Sequence, residues 1–147
     1  MQAKFEEVRH LLETYKERVS EKDVPQNFSS KATVQEDLPL LVQRALVFII
    51  AHLFDPKLTV GWMKQQCRIN GNNFSGKFKY HLGKTPKQYI LFHRMEVAKQ
   101  LLSKIDLADV PISAIAFELG FSSAAVFSNA FKSRMGESPS RWRKRDG

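Results

Sequence analysis

The chain has 147 residues, a formal net charge of +8 and a single cysteine. That length allows one domain or two very small ones, and the lone Cys67 excludes a disulfide framework and any Cys-based zinc site. No apolar run approaches the roughly 18 residues of a membrane helix, and the opening MQAKFEEVRHLL lacks the apolar block of a signal peptide, so the chain reads as a soluble, cytoplasmic protein.

Phe5, Val8, Leu12, Tyr15 and Val19 recur at alternating steps of three and four, the rhythm of one apolar helix stripe. An amphipathic helix is expected over residues 1–22. Its stripe has three open uses: packing on the rest of the chain, pairing two chains as a homodimer through residues 5–19, or ending a longer upstream segment. Residues 23–37 are polar and aperiodic and read as a linker.

The region 38–147 carries helix signals throughout. Asp37 and Pro39 start LLVQRALVFIIAHLF, and the turn DPK at 55–57 ends it. Thr59 is placed to cap VGWMKQQC, and Asn70 to cap GNNFSGKFKYHL, which Gly83 stops. Thr85 and Pro86 open a long helix that reaches Lys104, and DLADVP breaks it. ISAIAFEL ends at Gly120. Ser122 or Ser123 caps SAAVFSNAFKSRM, Gly136 ends that, and Ser138 and Pro139 start PSRWRK. No strand-like alternation is present. The fold class is all-α, about seven helices after the linker plus the N-terminal one.

One phrase occurs twice. FSGKFKYHLGKTP begins at Phe74 and FSNAFKSRMGESP at Phe127, with six of thirteen positions identical. On a helical wheel Phe74, Phe78 and Leu82 form one apolar face, as do Phe127, Phe131 and Met135. Glycine then stops the helix by entering the left-handed region cheaply, and Ser/Thr-Pro restarts the chain. Each copy follows a short helix and a tight turn, which is the helix-turn-helix pattern, whose second helix enters the major groove of double-stranded DNA. The two units are expected at about 59–82 and 112–135, joined by the helix 86–104.

Opposite the Phe stripes lie Asn72, Ser75, Gly76 and Lys79 in the first copy and Ala125, Ser128, Asn129 and Lys132 in the second. Asn73 is grouped with the first set. Small and polar groups suit a helix lying close to base edges, where Asn pairs with adenine and Ala meets a thymine methyl. Lys77, Lys84, Arg94, Arg134 and Arg141 are the expected phosphate contacts. Charge supports a polyanion partner: residues 1–37 hold six Lys/Arg and eight Asp/Glu, whereas 38–147 hold seventeen and seven. A nineteen-residue linker helix spans about 28 Å at 1.5 Å per residue, close to the roughly 34 Å between successive major grooves on one face.

AIAFELGFSSAAVFSNAFKSRMGESPSRWRK resembles the second helix-turn-helix of AraC-type transcription regulators, through Ala116, Gly120, Phe121, Phe127, Phe131, Lys132, Gly136, Pro139, Trp142 and Arg143. LTVGWMKQQCRINGNNFSGKFKYHLGKTPKQYI resembles the first, and the likeness covers about residues 38–145. The resemblance implies seven helices, major-groove recognition and regulation through RNA polymerase. It carries base contacts to Asn72, Ser75 and Gly76, and to Ala124, Ala125, Ser128 and Asn129. The first turn departs from the pattern, with Arg68 where the second has Gly120. The 37 residues ahead of the DNA-binding region are too few for a small-molecule pocket. With Ala124 and Ala125 in the second helix, the first head is expected to supply more hydrogen-bonded specificity.

Other classes lack their signatures. His10, His52, His81 and His93 show no metal-ligand spacing, and no phosphate loop or nucleophile elbow is present, so no catalytic residue, metal or cofactor is expected. RNA recognition by a stacking sheet has no strands to use. The remaining alternative is a protein-interaction module acting through the N-terminal helix or at the polymerase.

Overall fold

The computed structural model describes residues 2–25, 38–71 and 73–146, and among them forms eight α-helices and no strand. They are α1 (Gln2–Asp23), α2 (Leu40–Ala51), α3 (Val60–Gln66), α4 (Phe74–Leu82), α5 (Pro86–Leu102), α6 (Ile112–Glu118), α7 (Ala124–Met135) and α8 (Pro139–Asp146), with a 3-10 turn at Ile105–Leu107. Most of the expected linker, residues 26–37 with Asp37, lies outside the described residues.

Two three-helix units flank α5. The first packs α2 on α3 and α4, the second packs α7 on α6 and α8, and α5 touches α4 and α8. Local chemistry sets most helix starts. Thr59 Oγ1 accepts from the Trp62 amide at 3.0 Å, and Ser123 Oγ from the Val126 amide at 3.1 Å. Thr85 and Gln88 form a reciprocal capping box with Pro86 in the first turn. At seventeen residues α5 is about 25 Å long.

The repeated phrase builds the same core twice. Phe78, Phe127 and Phe131 have no exposed surface. Phe78 meets Tyr89 edge-on at 5.8 Å between centroids, and Phe131 meets Trp142 at 5.6 Å. Truncating any of these rings would cost about 3–5 kcal/mol. Gly83 and Gly136, at φ 83° and 82°, end α4 and α7 with matching amide bonds back to Lys79 and Lys132.

The stripe of α1 is spent inside this chain. Val8, Leu12, Tyr15 and Val19 are buried, and α1 packs on α2 and α5. Tyr15 Oη lies 2.7 Å from His93 Nδ1. Burial pulls the imidazole down to about 4, so the ring is neutral at neutral pH, and its tautomer sets which of the two groups donates. Tyr89 Oη donates to Asp23 at 2.5 Å. At the other end of α1, Lys4 pairs with Asp109 at 2.6 Å and Arg9 with Glu118 at 3.1 Å, both beside the second unit. Of the three uses left open for the stripe, packing on the rest of the chain is the one seen, with that apolar face covered by α2 and α5, and nothing among the described residues supports the possible homodimer through residues 5–19.

Candidate nucleic-acid interface

The two helix-turn-helix turns share one hydrogen-bond pattern. After α3 the Ile69 amide donates to Lys64 O at 2.8 Å and the Arg68 amide to Gln65 O at 3.2 Å. After α6 the Phe121 amide donates to Ala116 O at 3.0 Å and the Gly120 amide to Phe117 O at 3.1 Å. Both are Schellman stops, with the residue in the left-handed region followed by a buried apolar one, Ile69 or Phe121. The first stop places Arg68 at φ 56° where the second has Gly120 at φ 97°. The departure in sequence thus leaves the turn geometry unchanged, at the cost of a side chain in a region that disfavours one.

Beyond the turn the copies diverge. α7 starts at Ala124, three residues ahead of Phe127, whereas α4 starts at Phe74 itself. The expected cap at Asn70 is corrected. Gly71 has φ 105°, outside the right-handed helix region, and Asn73 occupies the cap position with no side-chain cap bond. α4 is therefore nine residues long against twelve for α7. Asn72, the base-reading candidate of the first copy, lies outside the described residues.

The other candidates occupy the faces turned away from the Phe rings. Asn73, Gly76 and Lys79 are exposed and Ser75 is half-buried. In the second unit Ala125, Asn129 and Lys132 are exposed, with Ala124 and Ser128 half-buried. Lys77, Arg134 and Arg141 are exposed as well. Among the described residues, the ion pairs formed by lysine and arginine use Lys4, Arg9, Lys16, Lys99 and Arg145. None uses Lys77, Lys79, Lys132, Arg134 or Arg141. Lys84 is half-buried, its ammonium 4.3 Å from the Phe92 ring centroid.

Arg94 is a correction. It was expected on phosphate, and it is only 6% exposed. Its Nε donates to Leu53 O at 2.9 Å, Nη2 to Asp55 O at 3.1 Å and Nη1 to Gly120 O at 3.3 Å, and its guanidinium carbon lies 5.3 Å from the Phe121 ring centroid. Burial pulls its pKa down to about 10, which leaves it charged at neutral pH. The wheel places residue 94 only by its own helix, and the apolar surroundings come from two other segments.

One outward residue was missed. Tyr80 is 84% exposed, one helical turn after Gly76. It stands roughly 200° from Phe78 on the wheel, so the signal was present and the chosen arc stopped short of it.

A family model described as "Helix-turn-helix domain" matches residues 65–145. The "Probable transcriptional regulator LumQ" of Photobacterium leiognathi is 36% identical over 95 residues, which is 65% of this chain and 37% of that protein. The C-terminal domain of AraT, a response regulator from Geobacillus stearothermophilus, superposes with a TM-score of 0.65 at 30% identity, covering 74% of this chain and 87% of that one. The DNA-binding domain of AdpA, solved in complex with a target DNA, shares the fold at a TM-score of 0.60 and 21% identity, over 70% of this chain and 89% of that one. The chain spans well under half the length of the curated relatives it matches, 37% and 41% for two of them.

Proposed function

The chain belongs to the AraC-type helix-turn-helix family of transcription regulators, and from that membership we propose that it reads one DNA duplex with both units, α4 and α7 lying in successive major grooves. The observation that carries the reading is the doubling of one arrangement. Each unit buries its Phe stripe and turns outward a small, polar face whose lysine, Lys79 or Lys132, is free of any acid among the described residues. Unpaired cations on a surface keep their full attraction for phosphate, since no carboxylate has to be displaced first.

The work divides by residue. The buried rings fix each helix axis. Ser75, Gly76, Ala125, Ser128 and Asn129 meet base edges, where Asn129 pairs with adenine and Ala125 packs on a thymine methyl. Lys77, Lys79, Lys132, Arg134 and Arg141 hold phosphates, and Lys84 reaches one from its place over the Phe92 ring. Recruitment of RNA polymerase belongs to the same proposal and rests on the family alone. The relatives are regulators and not enzymes, and no reaction is assigned to this chain.

Selection of bound sequences from a random duplex library tests the reading. The expected result is a site of two blocks one helical turn apart, with log affinity falling against log salt at a slope of about −5.4 for six phosphate contacts. Enrichment of no sequence at any salt concentration would defeat it.

A further inference from the structure

Arg94 is the one buried charged side chain among the described residues, and it stands near the middle of α5. Removing a guanidinium from water is expensive, and the cost is offset only by well-placed partners. No carboxylate lies in ion-pair contact with it among the described residues. Its partners are instead the carbonyls of Leu53 and Asp55, just past the end of α2, and of Gly120, just past the end of α6. Helix C-termini carry unsatisfied carbonyls and the negative end of the macrodipole. The cation therefore sits between two such ends, one from each three-helix unit.

Gly120 makes the contact close. A Cβ there would stand 2.7 Å from Arg94 Nη2, 2.9 Å from its Cζ and 3.0 Å from the Phe54 carbonyl oxygen. The two units thus meet backbone to backbone around one guanidinium. This explains why the second turn has glycine where the first keeps Arg68: the turn φ disfavours a side chain in both, but only in the second does Arg94 fill the space.

We infer that Arg94, seated against Gly120, is the positioning residue that sets the two recognition helices relative to each other, and so sets the spacing between the two DNA blocks this protein accepts. The inference rests on the two-block reading above. Arg94 touches no base. It acts by holding the second head where the first head's groove register requires it, which keeps the effective concentration of the second binding event high.

The test uses the full chain and duplexes built from the sequence it enriches. One series carries both blocks at the selected spacing and at one or two base pairs more or less. Two further duplexes carry one block each. The wild type should show a sharp spacing optimum. Arg94→Lys keeps the charge but loses the planar fork. It should bind the optimal duplex roughly tenfold more weakly and lose most of its discrimination between spacings, while each single-block duplex is bound within about twofold of wild type. A folded variant with an unchanged spacing profile, or with equal losses on single-block and two-block duplexes, would overturn the inference. If Arg94→Lys does not fold, a measurement on the wild-type joint decides. Spin labels on Lys77→Cys and Ser133→Cys, in a Cys67→Ser background without DNA, should give one narrow distance, and a broad distribution overturns the inference. Failure to enrich a two-block site overturns the underlying reading and this inference with it. An enriched two-block site with a spacing profile unmoved in Arg94→Lys overturns this inference alone.

Discussion

The two helix-turn-helix units share a core and differ in what surrounds it. The rings match one for one, Phe74, Phe78 and Tyr89 against Phe127, Phe131 and Trp142, and both recognition helices end on a left-handed glycine. The turns match in hydrogen bonds but not in residues, and the recognition helices match at their ends but not at their starts. A repeated sequence therefore specifies the anchoring of a helix. Its freedom to vary lies where another element presses on the turn and where the helix begins.

The largest effect expected from this comparison is at Gly120. Gly120→Ala should destabilise by about 3 kcal/mol, adding collision with Arg94 to left-handed strain. Gly136→Ala, at φ 82° with nothing within 4 Å of a new Cβ, should cost only the strain, about 1 kcal/mol. Urea unfolding of both variants separates the two costs. Equal losses would remove Arg94 from the explanation of the second turn.

The recognition faces come next. Asn129→Ala should relax base preference in the second block alone, by about 1–3 kcal/mol of discrimination, read by repeating the selection with the variant. A change spread over both blocks would show that the heads do not read separately. The expectation that the first head supplies more hydrogen-bonded specificity rested on Ala124 and Ala125 in the second, and Asn72, the first head's main candidate, lies outside the described residues. Among the described residues the second head carries the longer helix and the exposed Asn129, so this variant decides the ranking.

Two smaller changes probe the first unit. Arg68→Gly should stabilise by about 1 kcal/mol, because it relieves the left-handed strain at φ 56° by more than the added freedom of the unfolded chain costs. A loss of stability would mean that the Arg68 side chain holds its turn. Gly76→Ala should raise stability by about 0.8 kcal/mol, as for any exposed helical glycine, since the new Cβ meets only Asn73 Oδ1, at 3.5 Å. The same variant should bind the first block more weakly if α4 lies close against base edges. Equal or tighter binding would move Gly76 away from the DNA.

Most of the fold was legible because its signals are local. Thr59, Thr85 and Ser123 cap where their side chains permit, and Gly83 and Gly136 stop helices where a positive φ is required. The errors and the open choices share a cause too: each depends on a second element. Arg94 looks like any surface arginine until the ends of α2 and α6 close on it. The α1 stripe could equally serve a partner or the chain's own α2 and α5, and periodicity alone does not choose. Asn70 is a good capping residue, but the backbone at Gly71 leaves the helix region and moves the start to Phe74. Tyr80 was within reach of the wheel and was excluded by the width of the arc drawn on it.

The central claim is that both heads read one duplex from one side. Methylation interference on the enriched duplex tests it directly, because guanine N7 lies in the major groove. The account predicts two clusters of interfering guanines centred about 10 base pairs apart, with Asn129→Ala altering the pattern in one cluster only. A single cluster, or two separated by half a turn and so lying on opposite faces, would contradict it.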